Sequence, residues 1–295
     1  MRVFVLIAAG LSAGAAAPPK PPATPAEVVA AAPAAAWRSI PADDLLLIDL
    51  KGRGRVVIQL APEFAPVHVA NIKAFARSDY WTGAAVYRVQ DNYVAQWGIN
   101  EVEKPLPSGV VKLPPHEYWR STKGLAIRPL GYRDSYAPAA GYARGWPVAY
   151  NPKLGRVNLT HCYGYVGVAR DLAPDTGTGG ELYAIIGHAP RQLDRNIAVV
   201  GRVVEGIEHF SSLRRGTEAL GIYKERSEDA PIEGVRLASQ LPAAEQPAFQ
   251  YLDPGSASFA TYLRLRANRN DPFYQVAAGG VDLCNAPVPV RRKPA

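Results

Sequence analysis

The chain is 295 residues long, 48% hydrophobic and 20% charged, with 33 Lys or Arg against 26 Asp or Glu and a net charge of +7. That apolar content excludes a chain disordered throughout and suffices for one large or two modest domains, of which a single core with extensions is the expected plan. No stretch approaches the length of a membrane-spanning helix, the apolar run from Val3 to Ala9 being too short.

Met1-Arg2, the apolar run Val3 to Ala9 and Ala15-Ala16-Ala17 before Pro18 form the pattern of a secretory signal. Residues 1–17 are therefore expected to be a signal peptide and the protein periplasmic or otherwise exported; the alternative is a disordered Ala-rich tail. Residues 18–41 form an Ala- and Pro-rich leader with a short helix expected over Pro25 to Ala32. The apolar run Leu45 to Leu50, the turn Lys51-Gly52-Arg53-Gly54 and the run Arg55 to Leu60 read as two strands joined by a Gly-rich turn. In Ala65 to Phe75, Pro66 suits a helix start, and Val69, Ile72 and Ala76 share one helical stripe.

Next, Val86-Tyr87-Arg88-Val89-Gln90 and Tyr93-Val94-Ala95-Gln96-Trp97-Gly98 flank the turn pair Asp91-Asn92. If the flanks are strands, equal parity puts Arg88 and Gln96 on one face, where a permanently charged fork of donors stands beside aromatic residues. Between Ile99 and Thr160 the chain carries nine basic residues and four acidic ones among many aromatics, spaced by Pro and Gly, which reads as ordered irregular structure. A helix is expected over Ile207 to Arg215, with Ile207, Phe210 and Leu213 in register and Gly216 as its stop. Beyond Leu241, Ser258 to Arg266 has helical periodicity ended by Pro272, and Val281 to Val290 alternates like an extended, docked segment.

Other chemistries lack their residues. The five histidines, His68, His116, His161, His188 and His209, show no paired zinc-ligand spacing, and Asp175-Thr176-Gly177-Thr178-Gly179-Gly180 lacks a phosphate-loop lysine, so neither a metal nor a cofactor is expected. The two cysteines, Cys162 and Cys284, either pair or remain separate buried thiols; no nucleophile motif surrounds them.

The Arg88 hairpin resembles the active-site hairpin of cyclophilin-type peptidyl-prolyl cis-trans isomerases, in which Phe-His-Arg, two apolar residues and a turn lead to Phe-Met-x-Gln-Gly-Gly. Tyr87-Arg88 matches its start and Tyr93 to Gly98 its end, after a strand pair and a helix in the family's order. Downstream, Tyr165 to Arg170 resembles the strand that floors the proline pocket, and Gly179-Gly180-Glu181-Leu182-Tyr183 resembles Gly-Ser-Gln-Phe-Phe. Leu193-Asp194 then precedes Ala198 to Gly206, which is close to Phe-Gly-x-Val-x-x-Gly, and Ile232 to Leu237 would be the last strand.

The resemblance implies a mainly-β fold: an eight-stranded antiparallel closed barrel capped by two helices over residues 42–239. A long irregular insert (99–160) would interrupt it, and residues 240–295 would form a C-terminal extension docked on the barrel. It also implies that Arg88 and Gln96 are catalytic and that Tyr93, Val94, Ala169, Tyr183 and Leu193 hold the proline ring. Tyr183, Val94 and Leu193 also suit plain core positions, and Arg88 a surface ion pair, so the joint spacing carries the assignment. Three positions depart from the family: Gln192 stands at its usual tryptophan, Ile197 at its histidine and Arg170 at its asparagine. The missing indole implies weak binding of cyclosporin, and the missing histidine bears on catalytic efficiency.

The function implied is isomerisation of X-Pro bonds in exported proteins, assisting their folding, by a monomer that binds proline-containing polypeptides and no nucleic acid. The alternatives are a weakly active or inactive binding module or chaperone on the same fold in the cell envelope, and a structural envelope protein adhering to acidic polymers. For the insert, the plainer reading is aromatics packed on the barrel with solvated basic residues. The sharper one is a surface bordering Arg88 that helps select clients.

Overall fold

A computed structural model describes residues 23–99 and 104–294; the signal-like segment lies outside the described residues. In chain order the main elements are α1 (Pro25–Ala30), β1 (Trp37–Ser39), β2 (Leu45–Leu50), β3 (Gly54–Leu60), α2 (Pro66–Ala76), β4 (Ala85–Val89) and β5 (Val94–Gly98). There follow β6 (Arg120–Ser121), β7 (Arg128–Pro129), β8 (Ala139–Ala143), β9 (Trp146–Asn151), β10 (Arg156–Leu159), β11 (Tyr165–Val168) and β12 (Leu182–Ile185). The chain ends with β13 (Val199–Glu205), α3 (Ile207–Ser211), β14 (Ala230–Leu237), β15 (Phe249–Leu252), α4 (Ala257–Ala267) and β16 (Val290–Arg292).

Eight antiparallel strands close into a barrel in the order β11-β12-β5-β4-β14-β2-β3-β13. The continuous apolar run of β2 follows from burial on both faces: Leu46, Ile48 and Leu50 point into the barrel core, while Leu45 and Leu47 point outward beneath Ile40 and Phe249. Two helices cap the barrel. Val69, Ile72 and Phe75 of α2 join the interior, and Phe210 of α3 stacks on Trp97 with ring centroids 5.0 Å apart.

The N-terminus of α2 has no capping side chain of its own, because its N-cap is Ala65. Glu117, from the insert, supplies the acceptor: its carboxylate receives the backbone N–H of Val67 (2.8 Å) and of His68 (2.9 Å) and also bonds His68 Nδ1 (2.6 Å). Burial pushes the Glu117 carboxyl up, but these bonds to His68 and Val67 outweigh it and leave its pKa below the usual value.

Two expectations need correction. Helix α3 ends at Ser211 instead of running to Arg215, because the chain then turns to run beside β4. There the N–H of Gly216 donates to the carbonyl of Val89 (3.0 Å) and that of Tyr223 to Tyr87 (3.1 Å). A side chain at Gly216 would collide with the Gly221 carbonyl, so this glycine serves a close backbone approach and not a helix stop.

Nor is the insert irregular. It carries a five-stranded sheet in the order β6-β10-β9-β8-β7. Its outer strands are only two residues long, and the β8–β9 hairpin turns on Arg144-Gly145, both at positive φ (49° and 84°), as a two-residue primed turn requires.

One face of this sheet places Trp146, Val148, Val157 and Leu159 against Phe64, Tyr165 and Ile185 on the outside of the barrel. The other face presents Ala140 and Tyr142 to Phe259, Tyr262 and Leu263 of α4 and to Trp37, Leu283 and Val288. The C-terminal extension therefore rests chiefly on the insert, although Phe249, in the small β1-β15-β16 sheet, does reach the barrel. A disulfide joins Cys162 to Cys284, 122 residues apart. Among the described residues no helix is long and apolar enough to cross a membrane.

Replacing both cysteines by serine should destabilise the protein by roughly 2–4 kcal/mol, the usual worth of a cross-link closing a long loop. A denaturant midpoint that does not move would contradict this. Glu117→Gln should cost about 1–2 kcal/mol at neutral pH, the range for a charged helix cap. Because folding lowers the Glu117 pKa, this contribution is present above the unfolded value of about 4.3 and fades as pH falls below it. Melting curves of the two proteins should therefore converge in acid.

Candidate active site

The hairpin β4–β5 turns at Asp91-Asn92, where Asn92 takes the left-handed conformation (φ 49°) that asparagine tolerates. Val86 pairs with Trp97 and Arg88 with Gln96, so Tyr87 is an extra residue in β4, a β-bulge. The bulge explains why Val86 and Val89, three positions apart, both point into the barrel core. It also brings Tyr87 and Arg88 together on Gln96, which strict alternation would forbid.

These side chains form one hydrogen-bonded chain. Arg88 Nη1 donates to Gln96 Oε1 (2.8 Å), Gln96 Nε2 donates to Tyr87 Oη (2.5 Å), and the Tyr87 hydroxyl donates to the Glu181 carboxylate (2.7 Å). Gly98 leaves the space that the Glu181 side chain fills. Burial, reinforced by the Glu181 charge, raises the Tyr87 pKa far above the ordinary phenol value and keeps it a neutral donor. Two further bonds fix the guanidinium: Nε donates to the Leu220 carbonyl (2.7 Å) and Nη2 to Gln90 Oε1 (2.6 Å). Of its five N–H donors three are then engaged, leaving one on each terminal nitrogen free to point at a ligand.

Arg88 and Gln96 line a cleft of about 410 Å³ together with Tyr93, Val94, Ala169 and Tyr183, and Arg170 and Asp171 add charge at its edge. Leu193 is not among its lining residues. It sits in a short turn whose next residue, Asp194, is held by His161 and Arg191, and the apolar wall comes instead from Ile197, Leu220 and Ile222. A larger hollow, of about 520 Å³, is lined by residues of the N-terminal leader, the insert and the C-terminal extension, none from the hairpin.

Tyr183 is braced from behind. His161 Nε2 lies 3.1 Å from its hydroxyl, and His161 Nδ1 lies 2.9 Å from Asp194, whose carboxylate also pairs with Arg191 (2.5 Å). Arg191 in turn reaches Asp134 of the insert (3.0 Å). All four side chains are almost fully buried, so the tyrosine rests on a buried, hydrogen-bonded ionic cluster. Burial raises the Tyr183 pKa well above its usual value.

Sequence reasoning missed this brace, the Tyr87–Glu181 link and the 216–222 segment. The first two depend on partners 33 and 94 residues apart. Among the described residues no cluster of three or more His, Cys, Asp or Glu is placed to hold a metal ion.

The chain is thus a closed antiparallel barrel with an arginine-centred cleft on its outer wall. Residues 45–239 match the profile of the cyclophilin type peptidyl-prolyl cis-trans isomerase family, and the chain belongs to that family. Over 177 residues it is 26% identical to a probable peptidyl-prolyl cis-trans isomerase of Brucella suis biovar 1, covering 60% of this chain and 74% of the relative. The corresponding Brucella abortus protein matches to the same extent. A cyclophilin structure from Hirschia baltica shares the fold, with a TM-score of 0.68 and 23% identity over 88% of this chain and 95% of that one.

Tyr87→Phe removes the phenol link between Gln96 and Glu181 without emptying the core, leaving only the long direct contact of Gln96 Nε2 with the Glu181 carboxylate (3.4 Å). It should lower isomerisation of a short X-Pro peptide about three- to ten-fold, the worth of one positioning hydrogen bond, with thermal stability nearly unchanged. Wild-type rates in this variant would show that the link does not orient Gln96.

Proposed function

We propose that the protein isomerises X-Pro bonds of exported polypeptides and so assists their folding, with Arg88 stabilising the twisted amide. Rotation about a peptide bond faces a barrier of about 18–20 kcal/mol because nitrogen shares its lone pair with the carbonyl. The two X-Pro ground states differ by only about 0.5–1 kcal/mol, so no energy source and no covalent intermediate is needed. The proline ring sits against Tyr93, Val94, Ala169 and Tyr183. As the prolyl nitrogen pyramidalises, its lone pair becomes available to a free N–H of Arg88, an interaction absent from the planar ground state and therefore catalytic.

The single observation that carries this reading is the guanidinium held by Gln96, Gln90 and the Leu220 carbonyl, with two N–H groups left over at an apolar cleft. Such preorganisation lets the charge act without reorganising during the reaction. Export is supported by the signal-like pattern at residues 1–17 and by the Cys162–Cys284 disulfide, which suits an oxidising compartment.

A second reading, a weakly active or inactive binding module, is favoured by Ile197. It lines the cleft where the family carries a histidine and offers no hydrogen bond to substrate.

Arg88→Ala should reduce kcat/KM on a short X-Pro peptide by about 10²–10³-fold, and Arg88→Lys should not restore it, because a point charge lacks the fork. A wild type with no turnover that still binds proline peptides would leave the binding module standing.

A further inference from the structure

The Arg88 cleft does not end at Ile197. That residue also lines a crevice beside Phe64 and Tyr118, and Trp119 and Asn158, at the far side of the crevice, also line a third hollow of about 190 Å³ on the insert sheet. Shared lining residues place the three side by side, a row that narrows at the crevice and makes a shallow surface channel from the barrel onto the insert.

The chemistry changes along it. In the third hollow Trp119, just before β6, is 41% exposed and Leu154, in the β9–β10 turn, is 62% exposed, a large apolar surface left open to solvent. The Arg156 guanidinium lies 3.9 Å from the centre of the Trp119 ring, stacked and held in place. Arg195, whose backbone is in the left-handed region (φ 67°) directly after the anchored Asp194, lines the same hollow. Neither arginine pairs with a carboxylate among the described residues, and no acidic residue lines this hollow. The one acid in the crevice, Glu117, is occupied by the α2 N-terminus and His68. An aromatic platform flanked by two uncompensated arginines, one crevice away from the Arg88 cleft, complements an extended chain with apolar and acidic side chains.

We propose that this channel binds the stretch of client polypeptide next to the isomerised proline, an apolar side chain lying on Trp119 and Leu154 and a carboxylate meeting Arg156 and Arg195. The inference rests on the isomerase reading of the Arg88 cleft. It assigns to the insert a role in selecting clients whose proline has an acidic and aromatic flank.

The test measures Kd and kcat/KM for the full chain on three peptides: a blocked Ala-Pro tetrapeptide, a longer peptide with Asp and Phe flanking the same bond, and the longer peptide with Lys in place of Asp. The Asp-Phe peptide should bind about ten-fold more tightly than either other peptide, and the advantage should shrink as salt is raised. Trp119→Ala and Arg156→Gln should each bring that ratio close to one, whereas Arg88→Ala should abolish turnover and keep the ratio. Equal affinity for Asp- and Lys-flanked peptides, or a preference that survives both channel substitutions, overturns the proposal. Absence of wild-type turnover on every peptide would defeat the isomerase reading alone, and the Kd ratios would still decide whether the channel binds.

Discussion

One extra residue in β4 sets the geometry on which the candidate site depends. The bulge at Tyr87 lets Val86 and Val89 both enter the core while Tyr87 and Arg88 converge on one glutamine. In an unbroken strand one of those two side chains would point to the other face of the sheet. The bulge therefore converts a row of alternating residues into a focused cluster. The cluster is then polarised in one direction, from guanidinium through amide and phenol to carboxylate. The inner members, Gln96 and Tyr87, are each held from two sides, which suppresses alternative rotamers in a wall that is only partly buried.

The insert is a structural layer as much as an addition to a barrel. Its sheet separates two apolar cores, one shared with the barrel exterior and one with the C-terminal extension. Its Glu117 caps a barrel helix, and its Asp134 completes the ion cluster behind Tyr183. Removing one partner from such a buried cluster typically costs about 3–5 kcal/mol, because the remaining charge is stranded away from water. Changes in the insert can therefore reach the Arg88 cleft through Arg191, Asp194 and His161 without lining it.

What could be read along the chain, and what could not, follows the range of the interactions involved. The strands Leu45–Leu50 and Val94–Gly98, helix α2 and helix α4 declare themselves through local periodicity, proline at a first turn and glycine at turns. The pairing of Arg88 with Gln96 follows from parity across a short turn, and the bulge preserves it. The sheet of the insert carries no clear period along the chain, because its outer strands are only two residues long and its residues face two different cores, which erases simple alternation. Ile197 and not Leu193 lines the cleft, in a turn whose Asp194 is anchored by His161, 33 residues away. Gly216 looked like a helix stop, yet it answers to the backbone of Gly221.

The amino-acid sequence by itself determined the barrel strands, the proline-led start of α2 and the identity of the charged group at the cleft, since those depend on residues within a turn or a hairpin of one another. Only the tertiary structure decided which side chains hold that group still, where the cysteines meet and how the insert adjoins the cleft. Each of those rests on contacts between segments tens to more than a hundred residues apart, and no local pattern of propensity or polarity encodes which distant surfaces will be buried together.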